Sequence, residues 1–323
     1  MLGLVGASWY AVDEIVDTVH LPPDSRVLVL GSGGLIGRAL TNALKSEGYE
    51  VFEVKGRADL DLRVPGALAR FTSLNISFVY FLACDVGGSK FIDAADQQYQ
   101  ILHSNLAMYQ VVFPWLQSVA VPFIFTSSYN MHRMGAYGSI KRLGEVWTNL
   151  IPQGQVVRFW NVYGPERRGL RAHVLTDWID ICYSSEPTII ALTNGLEVRQ
   201  FSFVDDVADS LVLLLQQPDW LSGSRVSAID IASGQWTSIR EVGAIIMDLL
   251  PHCNISWSST AAAFDVRIEP ELSTDLHERV MQHSWQRTTL RNGIARMIDL
   301  QSKPQQQEQG PAPNDQIDVT CSA

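Results

Sequence analysis

Along the first half of the chain five short runs are dominated by apolar residues: RVLVL at 26–30, YEVFEV at 49–54, SFVYFLA at 77–83, PFIFTSS at 122–128 and QVVRFWNV at 155–162. Runs of this length, bounded by Gly, Pro and polar clusters, predict strands of a sheet covered on both faces. The stretches between them carry apolar residues at helical spacing. LIGRALTNALKSEG, starting at Leu35, predicts a helix that stops at Gly48. Strands alternating with helices predict a parallel sheet with crossover helices, a doubly wound α/β fold. Ahead of it, Trp9, Val12, Ile15, Val16 and Val19 share one helical face before Pro22-Pro23 ends that helix, so residues 1–24 read as a helical extension. After Pro165 the pattern is less regular. From about Gln301 the chain is rich in Gln and Pro with almost no apolar residues, and 301–323 is expected to be disordered.

Between the first strand and the first helix stands Gly31-x-x-Gly34-x-x-Gly37, with Gly33 beside it. Glycine costs stability inside regular elements, so this crowding needs a reason. A strand–turn–helix with these spacings turns tightly, lets a pyrophosphate approach the backbone and packs the helix against the strand. The free N–H groups of the helix start, at Leu35 and Ile36, favour the phosphate charge. The motif therefore predicts a Rossmann-type dinucleotide site. In NAD sites an acid at the end of the second strand holds the ribose 2′-hydroxyl. Here Lys55 stands in that place, with Arg57 next, and two cations suit a 2′-phosphate. NADP(H) is favoured over NAD(H).

Ser127-Ser128 closes the fourth strand, and Tyr137-x-x-x-Lys141 follows on a predicted helix. Residues four apart share a helix face. An ammonium beside a phenol favours its ionised form, so the tyrosine can exchange a proton, and a serine hydroxyl can bond the same reacting oxygen. The net charge of −10 argues against a surface built for nucleic acid or anionic membrane. No run reaches the ~20 apolar residues of a membrane span. The cysteines Cys84, Cys182, Cys253 and Cys321 are widely spaced and form no metal-type cluster, which predicts a reducing, cytoplasmic setting and no metal site. Asp205-Asp206 reads as a helix cap rather than a metal pair.

With these motifs in order, the chain resembles the extended short-chain dehydrogenase/reductases that act on nucleotide sugars, over about residues 25–300. RFWNVYGPE at 158–166, VRQFSFVDDVADSLVLLL at 198–215 and IDIASGQWTSIREVGAII at 229–246 resemble further segments of that family. Within it, Val86-Gly87-Gly88, RADLDL at 57–62 and RAHVLTDWI at 171–179 are most similar to the GDP-L-fucose synthases. The resemblance implies catalytic Ser128, Tyr137, Lys141 and His173. It places Arg57, Asp61, Leu62, Leu82 and Ala83 on the cofactor, with Gly31, Gly34, Gly37 and Lys55. It places Val86, Gly87, Asn105, Asn161, Arg199 and Arg267 on the substrate. Two features differ from the fucose synthases. Asn130 stands where they carry a catalytic cysteine, and the loop from Ser128 to Tyr137 is short. Dehydratases of the family resemble S-T-D-E at this strand end, where Tyr129-Asn130 offers no carboxylate.

The resemblance also implies a partition into a cofactor domain, 25–165 with 200–233 returning to it, and a smaller C-terminal substrate-binding lobe, 166–199 with 234–300. It implies a homodimer through the helices carrying 100–115 and 137–150. The activity so implied is NADPH-dependent reduction of a nucleotide-diphosphate-linked 4-keto-6-deoxy sugar, with or without epimerisation. An NDP-sugar 4-epimerase or decarboxylase with retained NAD stays open, as does a non-catalytic NADP-binding regulatory protein, since fold alone does not set function.

Overall fold

The computed structural model describes residues 21–166, 169, 171–216, 227–261 and 288–302. In its first part the elements are β1 (Arg26–Leu30), α1 (Leu35–Ser46), β2 (Glu50–Val54), β3 (Phe78–Phe81), a short α2 (Ser89–Ile92), α3 (Gln98–Val119), β4 (Phe123–Ser128), α4 (Ala136–Leu150), β5 (Gly154–Phe159) and β6 (Asn161–Tyr163). There follow α5 (Val174–Cys182), β7 (Thr188–Ile190), β8 (Val198–Phe203), α6 (Val204–Gln216), β9 (Ile229–Ile231), β10 (Trp236–Ser238), α7 (Ile239–Leu249), β11 (Asn254–Ser256) and α8 (Leu290–Ser302).

The main sheet has the order β2-β1-β3-β4-β5-β9, with every neighbouring pair parallel. This is the doubly wound sheet that the apolar runs predict. Strand order reverses between β1 and β3, and in such sheets the crevice beyond the C-terminal strand ends at that point receives the ligand. Alternate residues of each strand serve opposite faces. Val27, Val29, Tyr80 and Val157 pack on Leu40 and Leu44 of α1 and on Val207 and Leu211 of α6. Leu28, Leu30, Phe81 and Phe125 pack on Tyr109, Val112 and Phe113 of α3 and Ile140 of α4. The rings there meet edge to face, Phe81 on Phe125 at 5.5 Å and Tyr109 on Phe113 at 5.2 Å. Each fully buried side chain of this size stabilises the fold by roughly 1.5–3 kcal/mol.

The predicted strand at 155–162 is two strands, broken at Trp160. That residue's backbone N–H still reaches Ile231 of β9 at 3.3 Å, its indole N–H donates to Asp230 at 3.0 Å, and its ring stacks on Tyr129 at 5.0 Å. From Asn161 onward the chain pairs with β8, in a second sheet of order β10-β8-β6. Residues 200–203 thus lie in this second sheet, and the chain regains the main sheet through α6 and β9. A separate core holds this part together, with Leu175, Trp178 and Ile179 of α5, Val242 and Ile246 of α7, and Ile294 and Met297 of α8.

Within that core Cys182 and Cys253 form a disulfide across a sequence separation of 71. Their wide spacing concealed the pair, and the reducing setting inferred from that spacing loses the support of these two cysteines. Cys84 is free. Of the extension predicted at 1–24, residues 1–20 lie outside the described residues and 21–24 form no helix; Arg267 and residues 303–323 also lie outside, while 301–302 of the predicted tail end α8. Among the described residues no helix is long and apolar enough to cross a membrane.

Candidate active site

The glycine turn closes over the reversal point of the main sheet. Gly31 has a left-handed backbone, φ 98°, and a Cβ there would stand 2.7 Å from the backbone nitrogen of Ala83 beyond β3. A Cβ on Gly33 would run into the carbonyl of Lys55, and one on Gly37 into the carbonyl of Gly31. These three glycines are required by how closely the turn, α1 and the loops after β2 and β3 approach one another. Gly34 is different. It is exposed, and its Cβ would meet only the Gly31 carbonyl, at 3.5 Å. It stands at the start of α1, where no side chain caps the helix, ahead of Leu35 and Ile36. The protein's own packing does not call for this glycine, and an open, uncapped helix start fits an approaching pyrophosphate.

Beside the turn, Lys55 is exposed and its backbone N–H donates to Asp59 at 3.0 Å. Arg57 is exposed too, but it is not waiting bare for a ligand: its guanidinium pairs with Asp85 at 2.5 Å. Arg63 grips Asp61 at 2.6 Å and holds that carboxyl down at about 2, against the smaller opposing effect of burial. Leu62 is buried in the core, while Leu82 and Ala83 continue β3 toward the cleft.

Three chemically active side chains meet at the end of β4. The Ser128 hydroxyl accepts the Asn130 N–H at 3.2 Å and lies beside the Tyr137 phenol. Tyr137 lies in the first turn of α4, and Lys141 one turn later on the same face, its ammonium 5.8 Å from the Tyr137 ring. Lys141 is buried and donates to the Thr126 carbonyl at 2.9 Å. Gly144 makes this reach possible: any side chain there would strike the Phe125 ring and push α4 off β4. Burial raises the Tyr137 phenol above its ordinary value, and Lys141 opposes without prevailing. Tyr137 is therefore protonated at neutral pH, poised to donate rather than to accept. Burial works against the Lys141 charge, but Cys84 and Tyr137 beside it prevail and raise its pKa. A cavity of about 140 Å³ opens next to Tyr137, between Ile92–Asp93 and Arg133–Gly138.

Cys84, Asp85, Arg171 and Glu166 are the residues that sequence reasoning missed. The Cys84 thiol lies beside Lys141, and burial raises its pKa. Asp85, the next residue, is a buried carboxylate between Arg57 and the guanidinium of Arg171 at 2.6 Å. Burial would raise its pKa, and the two arginines outweigh that and keep it low. Asn105 is 0 % exposed, and its amide bonds both the N–H and the carbonyl of Asp85, at 2.8 and 3.0 Å, so it shapes this loop from below. Gly87 and Gly88, after Val86, pack against the backbone of Arg171 and of Ala172–His173. His173 itself precedes α5, and its ring nitrogen Nδ1 lies 2.9 Å from Glu166.

Asn161 opens β6, and its buried Oδ1 has no hydrogen-bond partner among the described residues. Arg199, on β8, donates to the Val198 carbonyl at 2.7 Å and lies near the Tyr129 phenol. Only Tyr137 and Lys141 of these residues stood at a spacing that announced their contact. Asp85 and Arg171 are 86 residues apart, and Glu166 and His173 sit seven apart in an irregular stretch.

The known proteins that this chain is similar to are distant in sequence. A GDP-L-fucose synthase of Arabidopsis thaliana is 22 % identical over 259 residues, 70 % of this chain and 78 % of the relative. A GDP-mannose 3,5-epimerase of Oryza sativa subsp. indica is 23 % identical over 285 residues, 74 % of this chain and 72 % of the relative. Among solved structures, a GDP-mannoheptose C4 reductase from Campylobacter jejuni with NADP bound shares the fold at a TM-score of 0.72. It is 17 % identical, over 88 % of this chain and 100 % of that one. Residues 27–228, which carry the glycine turn, the Ser128–Tyr137–Lys141 group and the second sheet's β8, match the profile described as the NAD dependent epimerase/dehydratase family, and the chain belongs to that family.

Proposed function

We propose that this protein is an NADPH-dependent reductase of a nucleotide-diphosphate-linked 4-keto-6-deoxy sugar. The observation that carries the reading is the meeting of Ser128, Tyr137 and Lys141 at the end of β4, next to the glycine turn. The relatives named for GDP-L-fucose synthesis and for C4 reduction with NADP bound support it. The bound nicotinamide would supply hydride to the carbonyl carbon. Tyr137 donates the proton that the resulting alkoxide needs, Ser128 holds the same oxygen by a hydrogen bond, and Lys141 compensates the charge that builds there. The open backbone at Gly34, Leu35 and Ile36 takes the cofactor pyrophosphate. Arg199 is assigned to the substrate diphosphate and the unpaired Asn161 Oδ1 to a sugar hydroxyl. The test is direct: with a panel of nucleotide-linked 4-keto-6-deoxy sugars, the protein should oxidise NADPH in step with alcohol formation. A protein that reduces none of them, with its cofactor site filled, would refute this activity.

Cofactor choice rests on Lys55 and Arg57. Arg57 keeps its pairing with Asp85 while its exposed edge meets the 2′-phosphate. A charge-assisted hydrogen bond of this kind contributes roughly 1.5–3 kcal/mol, so NADPH should bind tenfold or more tighter than NADH, and Arg57→Ala should remove most of the gap. Fluorescence titration of both cofactors measures it, and equal affinities in the parent would overturn the assignment.

We also propose that two copies pair through α3 and α4. Val146 and Leu150 of α4 are 59 % and 75 % exposed, with Leu143 on the same face, and Tyr99 and Leu102 of α3 are exposed as well. Apolar side chains exposed along two adjacent helices fit a partner better than water. Light scattering should give a dimer, and Val146→Glu with Leu150→Glu should give a monomer. A monomeric parent would end this assignment and leave the chemistry untouched.

A further inference from the structure

His173 stands at an extended position before α5, and one carboxylate grips it twice. The Glu166 Oε1 accepts the His173 backbone N–H at 2.6 Å, and the ring Nδ1 lies 3.1 and 2.9 Å from Oε1 and Oε2. Glu166 is largely covered, with 11 % of its side chain exposed, whereas the His173 ring is 45 % exposed. Burial would raise the Glu166 carboxyl, but its bonds with His173 prevail and hold it below the ordinary value, so it is ionised at neutral pH. A carboxylate can only accept hydrogen bonds. Nδ1 must therefore carry the hydrogen, and a neutral ring then presents a bare lone pair at Nε2, on the side away from Glu166. The neighbouring charges have other partners: Lys90 pairs with Asp177 of α5, and Arg171 with Asp85.

The site is linked to the catalytic group by a continuous series of contacts. Lys141 meets Cys84, Asp85 follows Cys84 in the chain, Arg171 pairs with Asp85, and the loop at Gly88 packs on Ala172 and His173. We infer that Glu166 is a positioning residue, which fixes His173 in the Nδ1–H tautomer so that Nε2 exchanges a proton at the carbon beside the keto group. This rests on the proposed 4-keto sugar substrate. In the step, a C–H bond next to the carbonyl breaks and its proton goes to Nε2. The electron pair passes into the enolate, whose oxygen is held by Tyr137 and Ser128. Nε2 then returns a proton to the same carbon, and solvent deuterium enters whenever the imidazolium exchanges first. Asn130 can serve as no second acid, so His173 alone gives back the proton on the face it took it from: exchange without inversion.

The experiment combines ring spectroscopy with isotope exchange. Long-range ¹⁵N–¹H spectra of the parent should show the neutral His173 ring protonated at Nδ1 and bare at Nε2. Glu166→Gln keeps the shape but offers a donor where the ring needs an acceptor. It should mix the tautomers and slow deuterium incorporation beside the ketone by about 10²–10⁴-fold, the usual contribution of a positioned general base. Exchange should fall far more than ketone reduction in the same variant, whereas damage to the fold would slow both reactions together. A parent ring protonated at Nε2, or a Gln variant with unchanged exchange, overturns the role of Glu166. A parent with the expected tautomer that reduces its keto sugar but exchanges no deuterium overturns the proton transfer. A parent that reduces no keto sugar at all marks the failure of the substrate reading instead.

Discussion

Tyr137→Phe should lower turnover of a nucleotide-linked 4-keto-6-deoxy sugar by about 10²–10⁴-fold, the usual value of a positioned general acid. The substitution removes one oxygen and leaves the ring. The contacts of α4 with the core run through Ile140 and Gly144 and do not depend on the phenol. NADPH affinity should be within about twofold of the parent, because the pyrophosphate and 2′-phosphate contacts assigned to Gly34 and Arg57 are untouched. The same assignment sets a pH dependence. Burial raises the Tyr137 phenol above its ordinary value of 10.0, with Lys141 opposing. The acid is thus fully protonated at neutral pH, and reduction should lose rate only as the pH climbs past that ordinary value. Stopped-flow measurement of single-turnover NADPH oxidation separates this chemical step from product release. A Phe variant that reduces substrate at the parent rate would remove Tyr137 from the mechanism.

The main sheet was legible because its signal is local. Apolar runs such as RVLVL and PFIFTSS must be buried on both faces, and each helix between them carries its own period. The glycine turn and the Tyr137–Lys141 pair were legible for the same reason, since their spacing is set inside one turn or one helix. What could not be read depends on distant partners. QVVRFWNV reads as one strand, and only the contact of Trp160 with β9 shows why the chain leaves one sheet for another there. Arg57 reads as a residue for the ligand. The carboxylate that already holds it, Asp85, stands 28 positions away and bears no mark in the sequence. Glu166 closes a segment quoted for its resemblance, yet its partner His173 stands seven positions on with no periodic pattern to join them. The Cys182–Cys253 disulfide joins α5 to the turn after α7, elements whose proximity no spacing foretells.

Arg158→Met should destabilise the fold by about 3–5 kcal/mol, the cost of leaving one member of a buried ion pair alone. Arg158 on β5 reaches Glu145 on α4 with two parallel bonds, 2.9 Å from Nε to Oε1 and 2.8 Å from the second guanidinium nitrogen to Oε2. Their side chains are 9 % and 7 % exposed, so water cannot replace the lost partner. Methionine fills most of the volume and strands the Glu145 carboxylate. The double variant Arg158→Met with Glu145→Leu removes both charges and should recover most of the loss, since a buried pair replaced by packed apolar residues is often neutral. The coupling between the two sites, read from urea unfolding of all four proteins, should therefore be large and opposite in sign to the single losses. Glu145 lies one turn beyond Lys141, so this pair also anchors the helix that carries Tyr137. Under conditions where both variants remain folded, the single variant should lose turnover and the double variant should regain part of it. A single variant that loses less than about 1 kcal/mol, the value of an exposed pair, would show that α4 is held by its apolar face alone.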